Sequence, residues 1–323
     1  WIATWGGLCR FVPPAAGADS AQGHGSFIRF KRSSSTRSSP AGNNIRTLMV
    51  DRRGTIWIGT WGHGLDRLDP RTGVFTHFAH AANDPHSLAS NLVLSLHEDR
   101  TGAIWVGTND AGLDLLDPVS GTARHFVPDP SSPLALNNGI ISSLFEDNAG
   151  ALWIGTAAGG VNRFDRMKNR FEHYRDNAND PDDLSGKDVW ALLEGQDGSL
   201  WIGTYGDGLN RFDRRSGTFT HFVHAPGKPG SISSNYVISL CETRAGVLYC
   251  GTEGGGLNRF DARSGKFSAF RHDPRNPNSI AQDEVTVILE DRRGALWVGT
   301  NGSGLDRLEP ATGHITHFAP DEK

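Results

Sequence analysis

Histidines and carboxylates are the residues of this chain best suited to chemistry; its 323 residues include 13 His and 36 Asp or Glu. Five of the histidines, His77, His125, His173, His221 and His317, each stand at one constant distance after a Trp. A metal would need its ligands converging within about 2 Å of one point. A position repeated along a chain is instead spread across the fold, so these five read as a packing or hydrogen-bonding position. His63, His86 and His97 fall outside that pattern and invite a functional reading.

Arginines form a second ladder, Arg10, Arg67, Arg163, Arg211, Arg259 and Arg307, in the full units followed two places later by Asp69, Asp165, Asp213, Asp261 or Glu309. Such repetition points to ion pairs or carbonyl contacts between units, each worth little where exposed. The nucleophile and metal motifs GxSxG, HExxH and CxxC are missing. The recurrent pattern DxxGxxW is not the Asp box of sialidase-like enzymes. A glycoside hydrolase or lyase would need a carboxylate pair, for which Asp110, Asp207 and Glu253 are the candidates.

These residues are positioned by a repeat. WIAT at 1 to 4 returns as WIGT at 57, WVGT at 105, WIGT at 153, WIGT at 201, YCGT at 249 and WVGT at 297, the last six copies at a constant interval. That period, with several short apolar runs per unit, predicts an all-β fold, a seven-bladed β-propeller of four-stranded antiparallel blades. Within the unit at 82 to 127, Leu92 to Glu98, Ile104 to Thr108, Leu113 to Asp117 and Arg124 to Val127 read as strands a, b, c and d. Glycine closes the a–b turns (Gly54, Gly102, Gly150, Gly198, Gly246, Gly294) and most c–d turns. Asn169 stands in for it once and should adopt the same left-handed conformation.

Strand a is apolar at every second place and between, so it is expected to be buried on both faces, the blades packing face to face with a innermost around the axis. The first unit has b, c and d but no a, which gives 27 strands; the seventh inner strand is expected from sequence before Trp1, making the chain a piece of a longer protein. Its extra residues fall between Phe11 and Phe27, and Lys31 to Gly42, rich in Ser and Arg, is the expected mobile loop. One domain is expected over 1–323, with units near 1–44, 45–91, 92–139, 140–187, 188–235, 236–283 and 284–323.

Composition narrows the partners. A net charge of −4 without a basic face excludes nucleic acid. No apolar run of the length that crosses a membrane, about 20 residues, is present. Cys9, Cys241 and Cys250 do not make a disulfide framework; Cys241 and Cys250 sit diagonally on one hairpin and are expected as thiols. No cofactor is expected.

The segments at 98–121, 146–165 and 290–310, for example EDRRGALWVGTNGSGLDRLEP, resemble the two-component regulator propeller repeats found in sensor regions of bacterial hybrid histidine kinases and related signalling proteins. The resemblance covers essentially the whole chain. It implies an extracytoplasmic or periplasmic, non-catalytic sensor propeller. It also implies a small-molecule or oligosaccharide ligand, often a carbohydrate, with the output domain in the parent protein. A homodimer through that parent, or a protein-binding scaffold, is the alternative use of the same face.

What differs between copies points to the site, because a structural position repeats and a binding position need not. The b–c tips carry Trp5, Trp61, His63, Asn109, Asp110, Tyr205, Asp207, Glu253 and Asn301. At the start of strand a, Arg46, Asp188, Trp190, Tyr236 and Glu284 replace Leu or Ile of sister units. On a propeller both sets should emerge at one channel mouth. Aromatic faces beside carboxylates and amides suit a ligand with an apolar face and polar groups.

Overall fold

The computed structural model describes residues 1–14, 25–33, 38–129, 131–177 and 179–319. The expected loop Lys31 to Gly42 and the insertion between Phe11 and Phe27 lie partly outside the described residues, at 34–37 and 15–24.

The fold is a seven-bladed β-propeller: the described residues form 27 strands in one three-stranded and six four-stranded antiparallel sheets. Each complete blade runs in the order a-b-c-d, every strand joined to the next by a tight turn. Among the described residues the first blade holds Ile2–Thr4, Gly7–Val12 and Ser26–Phe30. The chain packs as two compact units, Trp1–Ile154 with Phe164–Phe171, and Gly155–Arg163 with Glu172–Lys323.

The blade at 45–78 shows why the sequence folds this way. Strands a (Ile45–Val50), b (Ile56–Thr60), c (Leu65–Asp69) and d (Val74–Phe78) alternate apolar residues with polar ones, or, in b, are apolar almost throughout. The turn DRRG between a and b is capped by Asp51, whose Oδ1 accepts the backbone N–H groups of Arg53 and Thr55 at 3.0 and 2.8 Å. Its Oδ2 accepts the indole N–H of Trp57 at 3.0 Å. The same bond joins Asp99 to Trp105, Asp147 to Trp153 and Asp291 to Trp297, at 2.7 to 3.1 Å. The recurrent Asp-to-Trp spacing therefore satisfies an otherwise stranded indole donor.

One expectation about the core is corrected. Strand a is an edge strand in every complete blade and is only half-buried; Val50, Val287 and Leu289 are exposed. The buried strand is b, every residue of which is buried in five blades. The physical reason is position: b has hydrogen-bonded neighbours on both sides and sheet packing on both faces, whereas a has one neighbour.

The Gly of WIGT permits that packing. A Cβ at Gly107 would collide with Ser95 Oγ and lie 2.7 Å from Ile141 of the next strand a. Gly59 meets Val93 in the same way, and within the second compact unit Gly203 and Gly251 meet Val237 and Val285. Neighbouring blades are also riveted at their a–b ends. A glutamate closing strand a accepts the backbone N–H of the preceding turn, Glu98 from Arg52 and Glu146 from Arg100 at 2.8 Å, and in the second compact unit Glu242 from Gln196 and Glu290 from Arg244.

The two ladders prove structural. Nδ1 of His77, His125 and His317 meets a strand-c carboxylate (Asp66, Asp114, Asp306) at 2.6 to 2.7 Å, and that of His221 meets Asn210 at 2.8 Å. Nε2 of His125, His221 and His317 meets a proline carbonyl of the preceding loop at 2.9 Å. The arginines partly follow expectation: Arg67 donates to the carbonyl of Pro118 in the next blade at 2.8 Å and lies over Trp57. The acids two places on act differently, since Asp69, Asp213 and Asp261, like Asp117, cap their own c–d turns through backbone N–H groups. Of those pairs, Arg307 and Glu309 form an ion pair. Asn169 takes a φ of 50°, as its place in the turn requires. All three cysteines are free, and the pairing of Leu240 with Cys250 and Cys241 with Tyr249 turns the two thiols to opposite faces of their sheet.

Candidate functional site at the b–c tips

The b–c turns are built to hold one variable residue in place. The Thr ending strand b sends its hydroxyl to the carbonyl of the Gly that ends the turn, at 2.8 Å in Thr60, Thr108, Thr204 and Thr252. The residue after the Thr donates its backbone N–H to the residue just before strand a of the same blade: Trp61 to Asn44, Asn109 to Leu92, Tyr205 to Asp188, Glu253 to Tyr236 and Asn301 to Glu284. The tips and the starts of strand a are therefore adjacent, as the variable residues led us to expect.

The starts of strand a resolve into two positions rather than one. Asp188, Tyr236 and Glu284 occupy the place before the strand, equivalent to Leu92 and Ile140. Arg46 and Trp190 occupy the second residue of the strand, equivalent to Leu94 and Ile238. There the pairing register slips in five blades, between Ile45 and Thr47, Val93 and Ser95, Val189 and Ala191, Val237 and Ser239, and Val285 and Val287. Such a bulge re-aims the extra residue out of the sheet. No signal in the residue types announced it; it shows only in the register.

In the first compact unit the tips form a cationic aromatic group. The Arg46 guanidinium lies 5.9 Å from the Trp5 ring and 5.3 Å from the Trp61 ring, within cation–π range of both. Arg32 Nη1 stands within hydrogen-bond distance of His63 Nε2, at 2.9 Å. Asn109 and Asp110 lie at the next tip.

In the second compact unit the tips form an acidic aromatic group. Tyr205 lies between Trp190 and Tyr236, with ring centroids 5.8 and 4.7 Å away. Trp190, Tyr205 and Tyr236 remain 37, 36 and 42% exposed despite these contacts. Two of the three rings and one amide are tied to carboxylates: Trp190 Nε1 donates to Asp188 at 2.9 Å, Tyr205 Oη to Glu253 at 2.7 Å, and Asn301 Nδ2 to Glu284 at 2.7 Å. The bond to Glu253, with burial and the charges of Glu253, Tyr236 and Glu284, pushes the Tyr205 phenol up to about 12. Burial and the charge of Asp207 raise the Asp188 carboxyl, against the Trp190 bond that lowers it. Arg271 approaches the Glu253–Gly254 tip but is engaged by Asp283 and by the carbonyl of Gly254.

Two residues expected to be functional are elsewhere. His97 stands at the opposite, a–b end of its blade, 3.7 Å from Glu146 Oε2, and burial pushes its pKa down. His86 lies exposed in a d–a loop, its backbone N–H on Asp84. A further ladder went unread: His80, His224 and His272 direct Nδ1 to the carbonyls of Leu88, Ile232 and Ile280 at 2.8 to 2.9 Å, fastening the d–a loops. Their positions, whole repeats apart in loops of similar length, could have revealed it. Among the described residues no group of three or more His, Cys, Asp or Glu is arranged to hold a metal, and no helix is long and apolar enough to cross a membrane.

The family model described as two component regulator propeller matches residues 39–62, 87–110, 135–158, 183–206 and 279–302. Each match runs from the d–a loop through strands a and b to the tip. Five of the units thus match the two component regulator propeller repeat. No curated protein matches the sequence. Among solved structures, the extracellular domain of a putative hybrid two component system from B. thetaiotaomicron is similar at 25% identity and a TM-score of 0.74, over 91% of this chain and 36% of that one. The chain thus spans about a third of that relative's length. Virginiamycin B lyase from Staphylococcus aureus (18% identity, TM-score 0.63, 87% of this chain and 85% of that one) shares the fold. So does PorZ of Porphyromonas gingivalis, a surface component of the type-IX secretion system (17% identity, TM-score 0.65, 93% and 44%).

Proposed function

We propose that this chain is the non-catalytic, ligand-binding propeller of a bacterial signal-transduction protein, working on the extracytoplasmic side of the membrane, in the periplasm. The observation that carries the reading is the exposed trio Trp190, Tyr205 and Tyr236, gathered from one tip and two strand-a starts whose frame repeats and whose side chains do not. Exposed rings backed by oriented carboxylates do not serve the core, which strands b supply, and clustered exposed aromatics are the usual anchors of recognition. The repeat family and the likeness to an extracellular domain of a two component system support a sensing role and an extracytoplasmic address. The ligand is a small molecule or oligosaccharide that lays an apolar face on the rings.

Thermal-shift screening of wild type against Trp190→Ala and Tyr205→Ala tests this. A ligand present at a hundredfold excess over its Kd should stabilise wild type by about 2.7 kcal/mol. Both variants should keep the unliganded Tm and lose most of that shift. Stabilisation that survives both substitutions and disappears with Arg100→Ala, on the a–b turn end, would overturn the placement of the site.

A further inference from the structure

We propose that the aromatic trio of the second compact unit is a site for an organic cation, a ligand carrying an ammonium group. The inference rests on the binding-site reading above and adds the charge of what is bound.

The repeat itself supplies the comparison. Trp5, Trp61 and Tyr205 occupy the same position, directly after the Thr that ends strand b. In the first compact unit Trp5 and Trp61 both hold a cation, and the protein provides it: Arg46, projected from the strand-a bulge. At the equivalent bulge position beside Tyr205 the residue is Trp190, a further aromatic wall where the first compact unit has its guanidinium. The second compact unit therefore keeps the aromatic tip, adds Trp190 and Tyr236 to it, and supplies no cation between those rings among the described residues.

Its charges are of the complementary sign. Asp188, Glu253 and Glu284 border the rings, and none of them forms an ion pair among the described residues. Each spends one oxygen on a neighbour within the site, Oδ1 of Asp188 on Trp190, Oε2 of Glu253 on Tyr205 and Oε1 of Glu284 on Asn301. Those bonds fix the carboxylates and leave the second oxygen of each for a ligand. A neutral sugar uses ring faces and hydroxyl partners but has no use for three unneutralised negative charges. An ammonium group uses both, its positive charge attracted by the ring faces and by the carboxylates.

The test uses matched ligands that differ in charge: choline against its uncharged isostere 3,3-dimethylbutan-1-ol, and glucosamine against N-acetylglucosamine. Binding is read from the indole N–H resonance of Trp190, assigned by its loss in Trp190→Phe, and from calorimetry on the chain as it stands. The charged member of each pair should bind about tenfold more tightly, and added salt should weaken it. Glu253→Gln and Tyr205→Leu should each reduce that preference, while Trp61→Leu in the first compact unit should not. Equal affinity within both pairs, or no response to either cation, overturns the charge assignment. If a neutral ligand then shifts the Trp190 resonance, the binding-site reading survives alone. If ligands bind with the Trp190 resonance unmoved and indifferent to Tyr205→Leu, the site itself is misplaced.

Discussion

A histidine repeated along a sequence acquires its meaning from the group it touches. His125 and His317 each bridge a buried aspartate on strand c and a proline carbonyl in the loop leading into the same blade. Burial pushes both imidazoles down, but the aspartate bond, the carbonyl bond and the carboxylate charge together outweigh it and hold both above their ordinary value of 6.5. Asp114, which His125 meets, is itself raised by burial, so the pair holds one proton between its partners more firmly than either group would alone. A base whose folded pKa is raised stabilises the fold fully below its unfolded pKa and loses that contribution as pH rises through the folded value. Wild-type Tm should accordingly decline as pH rises past the ordinary imidazole value of 6.5, and the double variant His125→Gln, His317→Gln should show a flatter profile. An unchanged slope in the variant would place the titration elsewhere.

At the scale of the element, the WIGT strand joins stability to site. Its Trp is buried and capped by the a–b turn aspartate, its Gly makes room for the next blade, and its Thr fixes the turn that carries the variable residue. Gly107→Ala should force its new methyl against Ser95 and Ile141, and overpacking of this kind costs about 1–3 kcal/mol. Pairing it with Ile141→Ala should recover part of the loss, readable as a coupling in urea denaturation; purely additive losses would show that the methyl is accommodated elsewhere. Much of this element was legible in advance. Strand boundaries agree closely, because alternation and turn glycines are local signals, and Asn169 took the glycine-like conformation anticipated for it. The bond from the indole to the turn aspartate was not legible: the DxxGxxW spacing recurs, but neither residue type says that one accepts from the other.

For the whole molecule, stability should follow burial within the blades. Strand b, buried from end to end, should exchange its amide protons last, whereas the half-buried edge strand a and the outer strand d exchange earlier. Hydrogen exchange by mass spectrometry resolves segments of this length. Protection that peaks in strand a instead would restore the arrangement its apolar sequence suggested. Val93, Leu96 and their equivalents look like a doubly buried run, yet the strand has a hydrogen-bonded neighbour on one side only, and an apolar pattern does not report how many neighbours a strand has.

By itself the sequence determined the blade count, the strand order within each blade, the three strands read in the first blade and the end of the blades where variable residues gather. These follow from a constant repeat period and from local turn chemistry, both properties of the linear chain. Tertiary structure decided what those residues do together. Arg46 became the cation between Trp5 and Trp61, Trp190 a wall beside Tyr205 and Tyr236, and Glu253 the acceptor that fixes Tyr205. Each depends on a one-residue slip in register, or on the approach of two tips one repeat apart, and neither is written in the identity of any single residue.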